Sequence, residues 1–319
     1  MADYERELGM LPEDCISCIL CRTSPLDAFH LCLVSSTFRS AAGADSVWEG
    51  FLPSDYAQIV AKSTVPLKFS SKKDLFLQLC NSILIDDGNK SFALEKSTGL
   101  KSYMLSAREL SIRYGYAPDH WAWKYTPESR FAEVAELKTI CRLEIQGKIR
   151  TETLSPNTKY GAYMVMKMTD GAFGLDAIPC EMSVAVGNDT EATGGTAYLR
   201  KPAEVVAKQW LEYALYRNRK EKLKSRVNGG GEERQLRERG DGWMEIELGG
   251  FFTGEENEGE VTMRLTELQC TLIIFAMSMS FVVKLAFLGY IYHQISPKPS
   301  ALVEMDITCT KNAQFYHKD

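Results

Sequence analysis

Histidine is scarce in this sequence, and the spacing of its four histidines does not support a catalytic centre. They are His30, His120, His293 and His317. The chain also has no Gly-rich phosphate loop and no Cys–His or Ser–His–Asp constellation at a usable spacing. We therefore expect a protein that binds rather than catalyses, with no catalytic residue, no metal site and no cofactor.

The sequence also has no large excess of basic residues and no apolar segment at its start. The 319 residues carry 37 Lys and Arg against 42 Asp and Glu, a net charge of −5. Bulk electrostatic attraction to nucleic acid is therefore not expected. The first ten residues contain no apolar run, so we expect no secretory signal peptide. The nine cysteines are then expected to stay reduced, in the cytoplasm, the nucleus or both.

The strongest local pattern lies in residues 11–53. Pro12 is suited to a first helical turn, and Ile16 and Leu20 then lie on one apolar stripe. The run Ser24-Pro25-Leu26-Asp27 combines a capping hydroxyl, a first-turn proline and an acid, which predicts the start of a second helix. Because short helices over about 40 residues bury little surface, such a unit gains stability from docking on a partner.

This stretch resembles an F-box. The match rests on the order and spacing of Leu11-Pro12, Ile19-Leu20, Ser24-Pro25-Leu26-Asp27, Val34-Ser35, Phe38-Arg39 and Trp48. The resemblance implies docking on the Skp adaptor of a cullin-type ubiquitin ligase. The residues that it implies as adaptor contacts are Leu11, Pro12, Ile19, Leu20, Pro25, Leu26, Val34 and Trp48. The alternative is an ordinary helical hairpin with core leucines.

Three cysteines of the same stretch have C-x2-C-x2-C spacing. Cys15, Cys18 and Cys21 could in principle hold a metal or an iron–sulfur cluster. The apolar helical pattern runs through the same residues, and cysteine is a common small buried side chain. We therefore interpret these cysteines as core positions.

After residue 53 the pattern changes from helical to alternating. Residues 54–101 read as a helical extension and linker, with Leu75, Phe76 and Leu79 on one helical face. Further strands are predicted at Arg142–Ile149, Lys159–Met168, Ser183–Val186, Thr196–Arg200, Gly242–Leu248 and Glu260–Leu268. The predicted fold class is α+β: a small all-α domain over residues 1–53, followed by an antiparallel, jelly-roll-like β-sandwich over residues 102–268.

Aromatic residues crowd one segment of the predicted sandwich. They are Tyr114, Tyr116, Trp121, Trp123 and Tyr125. Two tryptophans at positions i and i+2 of a strand point the same way. Exposed, they offer a platform on which sugar rings can pack, with polar partners at the edge. Buried, they are core residues, which is the commoner state of tryptophan, so the pattern alone favours the core.

Six motifs in order match a plant family. They are Ala107–Ile112, Trp121–Lys124, Val134–Leu137, Leu143–Ile149, Asp241–Gly249 and Gly259–Leu265. On these motifs residues 102–268 resemble the phloem lectin family, the phloem protein 2 group that includes Nictaba-like lectins. With the helical stretch, the chain resembles a plant F-box protein of the phloem protein 2-B type.

The family resemblance implies a lectin-like domain that binds N-acetylglucosamine oligomers or N-glycan cores. The residues that it implies as sugar contacts are Tyr114, Trp121, Trp123, Glu260 and Glu267. Tyr114 stands where some lectins of the group have tryptophan, which keeps a stacking face but reduces its size.

Basic residues are dense in Arg200–Arg239, which holds twelve Lys or Arg and six Asp or Glu. One interpretation is a nuclear-import or nucleic-acid contact. The commoner one is a solvated loop between strands, ended by three glycines at residues 229–231. We favour the loop and expect no nucleic-acid partner.

The divergent tail, residues 269–319, departs from the family pattern. Residues 270–292 are mostly apolar, carry one charge at Lys284 and are long enough to span a membrane. One interpretation is a C-terminal membrane anchor. The other, which we favour, is a translated intron or alternative exon that replaces the last strand and leaves an unpaired sheet edge.

Two functional hypotheses follow from these patterns. The first is a substrate receptor that docks on the Skp adaptor and cullin complex through the F-box and recognises glycan or glycoprotein clients through the sandwich. The second is a carbohydrate-binding stress lectin that acts without ubiquitination. In this hypothesis the protein can also associate with a membrane. In neither is the chain itself an enzyme.

Overall fold

The computed structural model describes residues 11–140, 142–168, 179–187, 193–199, 232–255, 259–267, 274–275 and 279–287. The first described elements are α-helices. They are α1 Glu13–Leu20, α2 Pro25–Leu31, α3 Ser36–Ala41, α4 Asp45–Phe51, α5 Tyr56–Ala61 and α6 Lys72–Cys80.

Serine side chains cap three of these helices. The Ser24 hydroxyl accepts a hydrogen bond from the Asp27 amide at 3.1 Å, and the Asp27 carboxylate accepts one from the Ser24 amide at 3.4 Å. This reciprocal box, with proline in the first turn, confirms the predicted start of α2. Ser35 and Ser71 cap α3 and α6 in the same way, each through the amide three residues later.

Trp48 lies at the centre of the helical core. It is fully buried, and its ring centroid lies 4.9 Å from that of Phe29, 5.6 Å from Phe51 and 5.2 Å from Phe76. Its indole nitrogen donates to the Ala42 carbonyl at 2.6 Å. Since Phe76 belongs to α6, the segment after residue 53 completes a core that the first four helices are too small to build alone.

The remaining elements are strands. In chain order they are β1 Ile83–Ile85, β2 Lys90–Leu94, β3 Lys101–Leu105, β4 Ser111–Ile112, β5 Trp121–Lys124, β6 Val134–Leu137, β7 Thr139–Ile140, β8 Glu144–Arg150, β9 Thr158–Met168, β10 Cys180–Val186, β11 Thr193–Ala197, β12 Glu232–Glu233, β13 Arg237–Glu238, β14 Met244–Thr253, β15 Glu260–Glu267, β16 Ile274–Phe275 and β17 Met279–Phe287.

Two sheets contain nearly all of these strands. The first sheet has the order β1-β2-β3-β17-β9-β14-β13, and β6 joins it by pairing with both β17 and β5. The second sheet has the order β12-β11-β10-β15-β8-β4, while β7 and β16 pair by themselves. Neighbouring strands in these sheets run antiparallel, except that β11 and β12 run parallel. The helical region followed by antiparallel sheets confirms the predicted α+β class.

Each of the six longer predicted strands overlaps an observed one. The first sheet, however, begins earlier than residue 102, because the β1–β2 hairpin pairs with β3. Residues 83–101 are therefore part of the sheet and not a linker. Buried side chains from both sheets form one core, as expected for a sandwich. Examples are Tyr160, Met164 and Leu248 from the first sheet and Ile145, Val184 and Leu265 from the second.

A buried ion pair connects the helices to the sandwich. The Lys101 ammonium lies 2.8 Å from the Asp55 carboxylate and donates to the Thr153 carbonyl at 3.1 Å, with only 7% of the lysine side chain exposed. The Tyr160 hydroxyl donates to the Lys101 carbonyl at 3.1 Å. Removing one partner of such a pair leaves an uncompensated charge, so the join is sensitive to substitution.

The apolar tail segment supplies a strand. β17 lies between β3 and β9, with Lys284 in register with Met104 and Tyr163. The expectation that this tail leaves the sheet without its closing strand is therefore wrong. A long apolar run does not by itself distinguish a central strand from a spanning helix. Among the described residues, no helix combines the length and apolar character needed to cross a membrane; residues 288–319 lie outside the described part.

Candidate functional sites: an aliphatic set and an aromatic loop

Four aliphatic side chains are exposed in α1, in α2 and in the turn after α2. They are Ile19, Leu26, Leu33 and Val34, which we call the aliphatic set; 78% of Leu33 and 60% of Val34 is exposed. Exposed aliphatic side chains concentrated in one short segment are typical of a protein-docking surface. Leu33 was not among the predicted contacts, because it does not belong to the F-box positions matched in the sequence.

The predicted adaptor contacts divide into two groups. Pro12 is exposed and Leu11 is half-buried, while Ile19, Leu26 and Val34 belong to the aliphatic set. Leu20, Pro25 and Trp48 are buried in the helical core. In this structure these last three side chains are therefore not offered at the surface for the partner contact that the resemblance implies. A sequence motif includes core and contact positions alike, and only packing separates them.

The cysteines of α1 are placed differently from the prediction. Cys15 and Cys18 are exposed, and their spacing puts both on the side of the helix that carries Ile19. The interpretation of these two as core positions is therefore wrong. Cys21 is half-buried, and its thiol donates to the Cys18 carbonyl at 3.1 Å. Within the described ranges, His, Cys, Asp and Glu form no group able to hold a metal ion.

Residues 113–125, which we call the aromatic loop, are held by two tryptophans of β5. The Trp121 indole donates to the Arg113 carbonyl at 3.0 Å, and the Trp123 indole donates to the Gly115 carbonyl at 3.0 Å. The two bonds hold the residues on either side of Tyr114.

Neither tryptophan presents an open face. Trp121 is only 2% exposed, and the guanidinium of Arg108 lies 3.6 Å from the ring centroid of Trp123. The resemblance implies that Trp121 stacks on a sugar, but in this structure its ring is not offered to one. It is a core residue, as the pattern alone favoured, and the contact assigned by resemblance to Trp123 is partly blocked.

Tyr114 is the exposed ring that this arrangement presents. Its backbone φ is +57°, and 52% of the residue is exposed. A left-handed conformation costs a non-glycine residue roughly 1–2 kcal/mol, so it persists only where neighbours impose it. The indole bonds to Arg113 and Gly115 supply that restraint. Two further tyrosines of the loop, Tyr116 and Tyr125, are also largely exposed.

Polar groups surround the Tyr114 ring. The His120 ring lies 5.1 Å from it, and His120 Nδ1 lies 2.8 Å from the Thr139 carbonyl. Because a carbonyl only accepts, Nδ1 donates to it, which leaves Nε2 for other partners. Arg113 pairs with Glu144 at 2.9 Å. An aromatic face with donors and acceptors at its edge suits a ligand that is partly apolar and rich in hydroxyl groups.

The two predicted glutamates lie at opposite ends of β15. Glu267 follows Glu260 by seven positions, a distance of about 23 Å along a strand. Glu260 is exposed and pairs with Lys148. Glu267 lies beside Leu143, at the end of the second sheet where the Arg113 amide donates to the Glu144 carbonyl. The structure therefore does not bring Glu260 to the aromatic loop, and it is not part of the candidate site around Tyr114.

Glu267 lies at the same end of the sheet as the loop but is 2% exposed. Burial raises the pKa of its carboxyl to about 7, and the hydrogen bond from the Leu143 amide opposes part of that rise. Its carboxyl is buried beside Leu143 and is not offered at the surface for the direct sugar contact that the resemblance implies. Its pKa makes it sensitive to pH near neutrality.

The basic stretch is described only in part, because residues 200–231 lie outside the described ranges. Arg234 pairs with Glu247 at 2.8 Å, and Arg239 pairs with Asp241 at 2.9 Å and with Glu245 at 3.2 Å. At the C-terminal end of the basic stretch, Arg234 and Arg239 therefore form ion pairs with nearby acidic side chains.

Comparison with known proteins identifies both regions. A family model described as F-box domain matches residues 8–50, and one described as Phloem protein 2 matches residues 100–273. In Arabidopsis thaliana, F-box protein PP2-B13 is 48% identical over 264 residues, which cover 82% of this chain and 92% of that protein. F-box protein VBF is 47% identical over 82% of this chain and 93% of its own length. F-box protein PP2-B15 is 45% identical, with 82% and 90% covered.

Proposed function

The chain belongs to the family of plant F-box proteins that carry a phloem protein 2 domain, and on this premise we propose that it is a substrate receptor of a ubiquitin ligase. In this proposal the helical region docks on the Skp adaptor of a cullin complex. The sandwich recognises glycans, namely N-acetylglucosamine oligomers or N-glycan cores, or proteins that carry them. The chain itself performs no chemistry, and ubiquitin transfer belongs to other subunits.

The aliphatic set is the observation that carries the docking half of this proposal. Leu33 and Val34 are mostly exposed, and Ile19 and Leu26 are more than two-fifths exposed. Burying such side chains against a partner removes apolar surface from water and is worth about 25 cal/mol per Å². Aliphatic side chains offer no hydrogen bonds, so they favour an apolar protein surface over a sugar.

The docking proposal is tested by charge substitution. Ile19→Asp and Val34→Asp place a carboxylate in the proposed interface, and we expect at least about a tenfold loss of Skp adaptor binding in a pull-down or titration. Leu77→Asp is the matched control, because Leu77 is an exposed leucine of α6 outside the aliphatic set. Circular dichroism checks that all three variants fold. Equal adaptor recovery from parent and both variants contradicts the docking proposal.

Tyr114 with its polar surroundings supports the glycan half of the proposal. The ring is large enough to cover a sugar face, while Arg113, Glu144 and His120 supply donors and acceptors beside it. The backbone restraint on Tyr114 means that the ring is positioned before a ligand arrives, which lowers the entropy lost on binding.

The glycan proposal is tested by titrating the full chain with chitooligosaccharides. We expect Tyr114→Ala to lose binding while retaining the parent's circular dichroism spectrum. Phe252→Ala is the matched control, since Phe252 is an exposed aromatic residue of β14 outside the aromatic loop. If the parent chain binds no chitooligosaccharide or N-glycan, the client is recognised through protein surface instead.

A second candidate function, a lectin that acts without ubiquitination, uses the same aromatic loop. The observation that favours it is that the loop's tyrosines and their polar partners all belong to the sandwich and need nothing from the F-box. Glycan binding together with failure of the adaptor experiment is the outcome that selects this function over a ligase receptor.

A further inference from the structure

A cleft of about 220 Å³ opens on the first sheet, built from residues that neither proposed surface uses. Ser91 of β2 and Ser102 of β3 form its floor, and Ser82 lies at its edge. Arg130, from the segment between β5 and β6, and Arg239, from the turn between β13 and β14, complete the lining. Hydroxyl and guanidinium groups thus meet in one small space.

The alternation of β2 and β3 explains why the floor is small and polar. Ser91 is opposite Met104 and Ala93 is opposite Ser102, so these four residues share one face of the pair. Phe92, on the other face of β2, packs into the core. Because serine and alanine are short, the strand pair leaves a depression on its outer face.

A separate apolar cluster fixes the two arginine-bearing segments. Phe131, next to Arg130, and Trp243, at the start of β14, are both nearly fully buried and pack in one cluster with Met104. The Arg239 amide donates to the Trp243 carbonyl at 2.7 Å. Both guanidinium groups are therefore carried by backbone that is packed onto the sheet.

The two arginines differ in how their charge is balanced. Arg239 bonds to Asp241 and Glu245, which orient its guanidinium and leave two of its five N–H groups for other acceptors. Arg130 donates to the Ser91 hydroxyl at 3.1 Å, and the negative charge of Asp241, which is bonded to Arg239, also acts on it. Burial and the positive charge of Arg239 lower the pKa of Arg130, and Asp241 opposes part of that decrease. An anion beside Arg130 relieves this repulsion.

We propose that this cleft binds a tetrahedral oxyanion, the phosphate group of a phosphorylated peptide or free inorganic phosphate. A guanidinium offers parallel N–H donors that match two oxygens of a phosphate, and the Ser91 hydroxyl, which accepts from Arg130, can donate its own hydrogen. The cleft is smaller than the pockets of about 300–1,000 Å³ that hold drug-sized ligands, so it takes a single small group. This inference does not rest on the proposed function, because it uses neither the aliphatic set nor Tyr114.

The experiment titrates the full chain with inorganic phosphate by calorimetry, in chloride buffer of matched ionic strength. We expect saturable binding that Arg130→Gln weakens at least about tenfold. Arg130→Lys keeps the charge but loses the parallel donors, so its affinity falls between those of the parent and Arg130→Gln. Arg150→Gln is the control, because Arg150 is an exposed arginine of β8 outside the cleft, and it leaves phosphate binding unchanged.

A second arm compares a phosphoserine peptide with its unphosphorylated form. Tighter binding of the phosphopeptide than of inorganic phosphate identifies a peptide-borne ligand, and the reverse order identifies free phosphate; both support the cleft as an oxyanion site. Absence of phosphate binding by the parent up to about 10 mM overturns the proposal without any variant. So does binding that is the same in the parent, Arg130→Gln and Arg130→Lys.

Discussion

The helical region and the aromatic loop each bury a tryptophan, but they expose different kinds of side chain. Trp48 and Trp121 are core residues whose indole N–H groups bond to nearby backbone carbonyls. Around Trp48 the exposed side chains are aliphatic, whereas the loop held by Trp121 exposes tyrosine rings with charged neighbours. In both regions a buried tryptophan thus packs beneath the surface, and smaller side chains, aliphatic in one and tyrosine in the other, are exposed on it.

This difference indicates which class of partner each region suits. An aliphatic side chain gains stability only by leaving water, which requires an apolar surface of comparable size on a partner protein. A tyrosine ring beside Arg113, Glu144 and His120 can cover a C–H face and satisfy hydroxyl groups together. The first chemistry fits an adaptor subunit and the second fits a sugar.

The largest expected effect tests whether Trp48 is support or contact. Trp48→Ala removes a fully buried ring from a cluster with Phe29, Phe51 and Phe76, so we expect a loss of about 3–5 kcal/mol in the free energy of unfolding. Urea unfolding followed by circular dichroism measures it. Leu33→Ala, at a highly exposed position, is the control and changes stability by less than about 0.5 kcal/mol. Unchanged stability with lost adaptor binding shows instead that Trp48 is a contact.

The next effect concerns the buried carboxyl near the aromatic loop. The folded-state pKa of Glu267 is about 7 against an ordinary value of 4.5, so between these values the folded state holds a proton that the unfolded state has lost. Stability therefore falls as the pH rises from 4.5 to 7, by about 3 kcal/mol in total. Glu267→Gln keeps an acceptor for the Leu143 amide without titrating, so this decrease is expected to disappear.

Urea unfolding of the parent and Glu267→Gln at pH 5 and pH 8 measures the effect. Glu260→Gln is the control, because Glu260 is exposed at the other end of β15 and leaves the pH dependence of the parent in place. The same pH dependence in the parent and Glu267→Gln means that another group is responsible.

A smaller effect separates support from contact within the loop. Trp121→Phe keeps an aromatic ring in the core but leaves the Arg113 carbonyl without its indole donor, so we expect a loss of about 1–3 kcal/mol in the free energy of unfolding. Glycan affinity falls as well, because the restraint on Tyr114 is loosened. Tyr125→Phe, at an exposed position of the same loop, serves as the control. Full stability with lost glycan binding identifies Trp121 as a direct contact.

The smallest expected change in stability is at Tyr114 itself. Asparagine accepts a positive φ more readily than other non-glycine residues, so Tyr114→Asn changes the free energy of unfolding by less than about 1 kcal/mol. Tyr114→Val puts a β-branched residue at the same φ and is expected to cost more. Equal stability of the two variants in urea contradicts the claim that the backbone conformation at Tyr114 is imposed by its surroundings.

Local features were predictable where the cause is itself local. The capping box at Ser24 and Asp27 involves residues three apart, and the longer strands follow from alternation within each segment. The high density of aromatic residues in 114–125 likewise identified this segment as a candidate binding site. The pattern favoured burial of Trp121 but did not decide it, because two tryptophans at i and i+2 share a direction whether that direction leads to solvent or to the core.

The sequence by itself determined the family, the order of helical and sheet regions, and the segments that hold the two candidate surfaces. Only the tertiary structure decided that β17 lies between β3 and β9 in the first sheet, that Glu260 and Glu267 lie at opposite ends of one strand, and that Arg130 and Arg239 line one cleft. The physical reason is the sequence separation of the interacting residues. Helix caps and hydrophobic periodicity depend on residues that are close together along the chain. Strand order, burial and the charges that face one another depend on residues far apart in sequence, which only packing brings together.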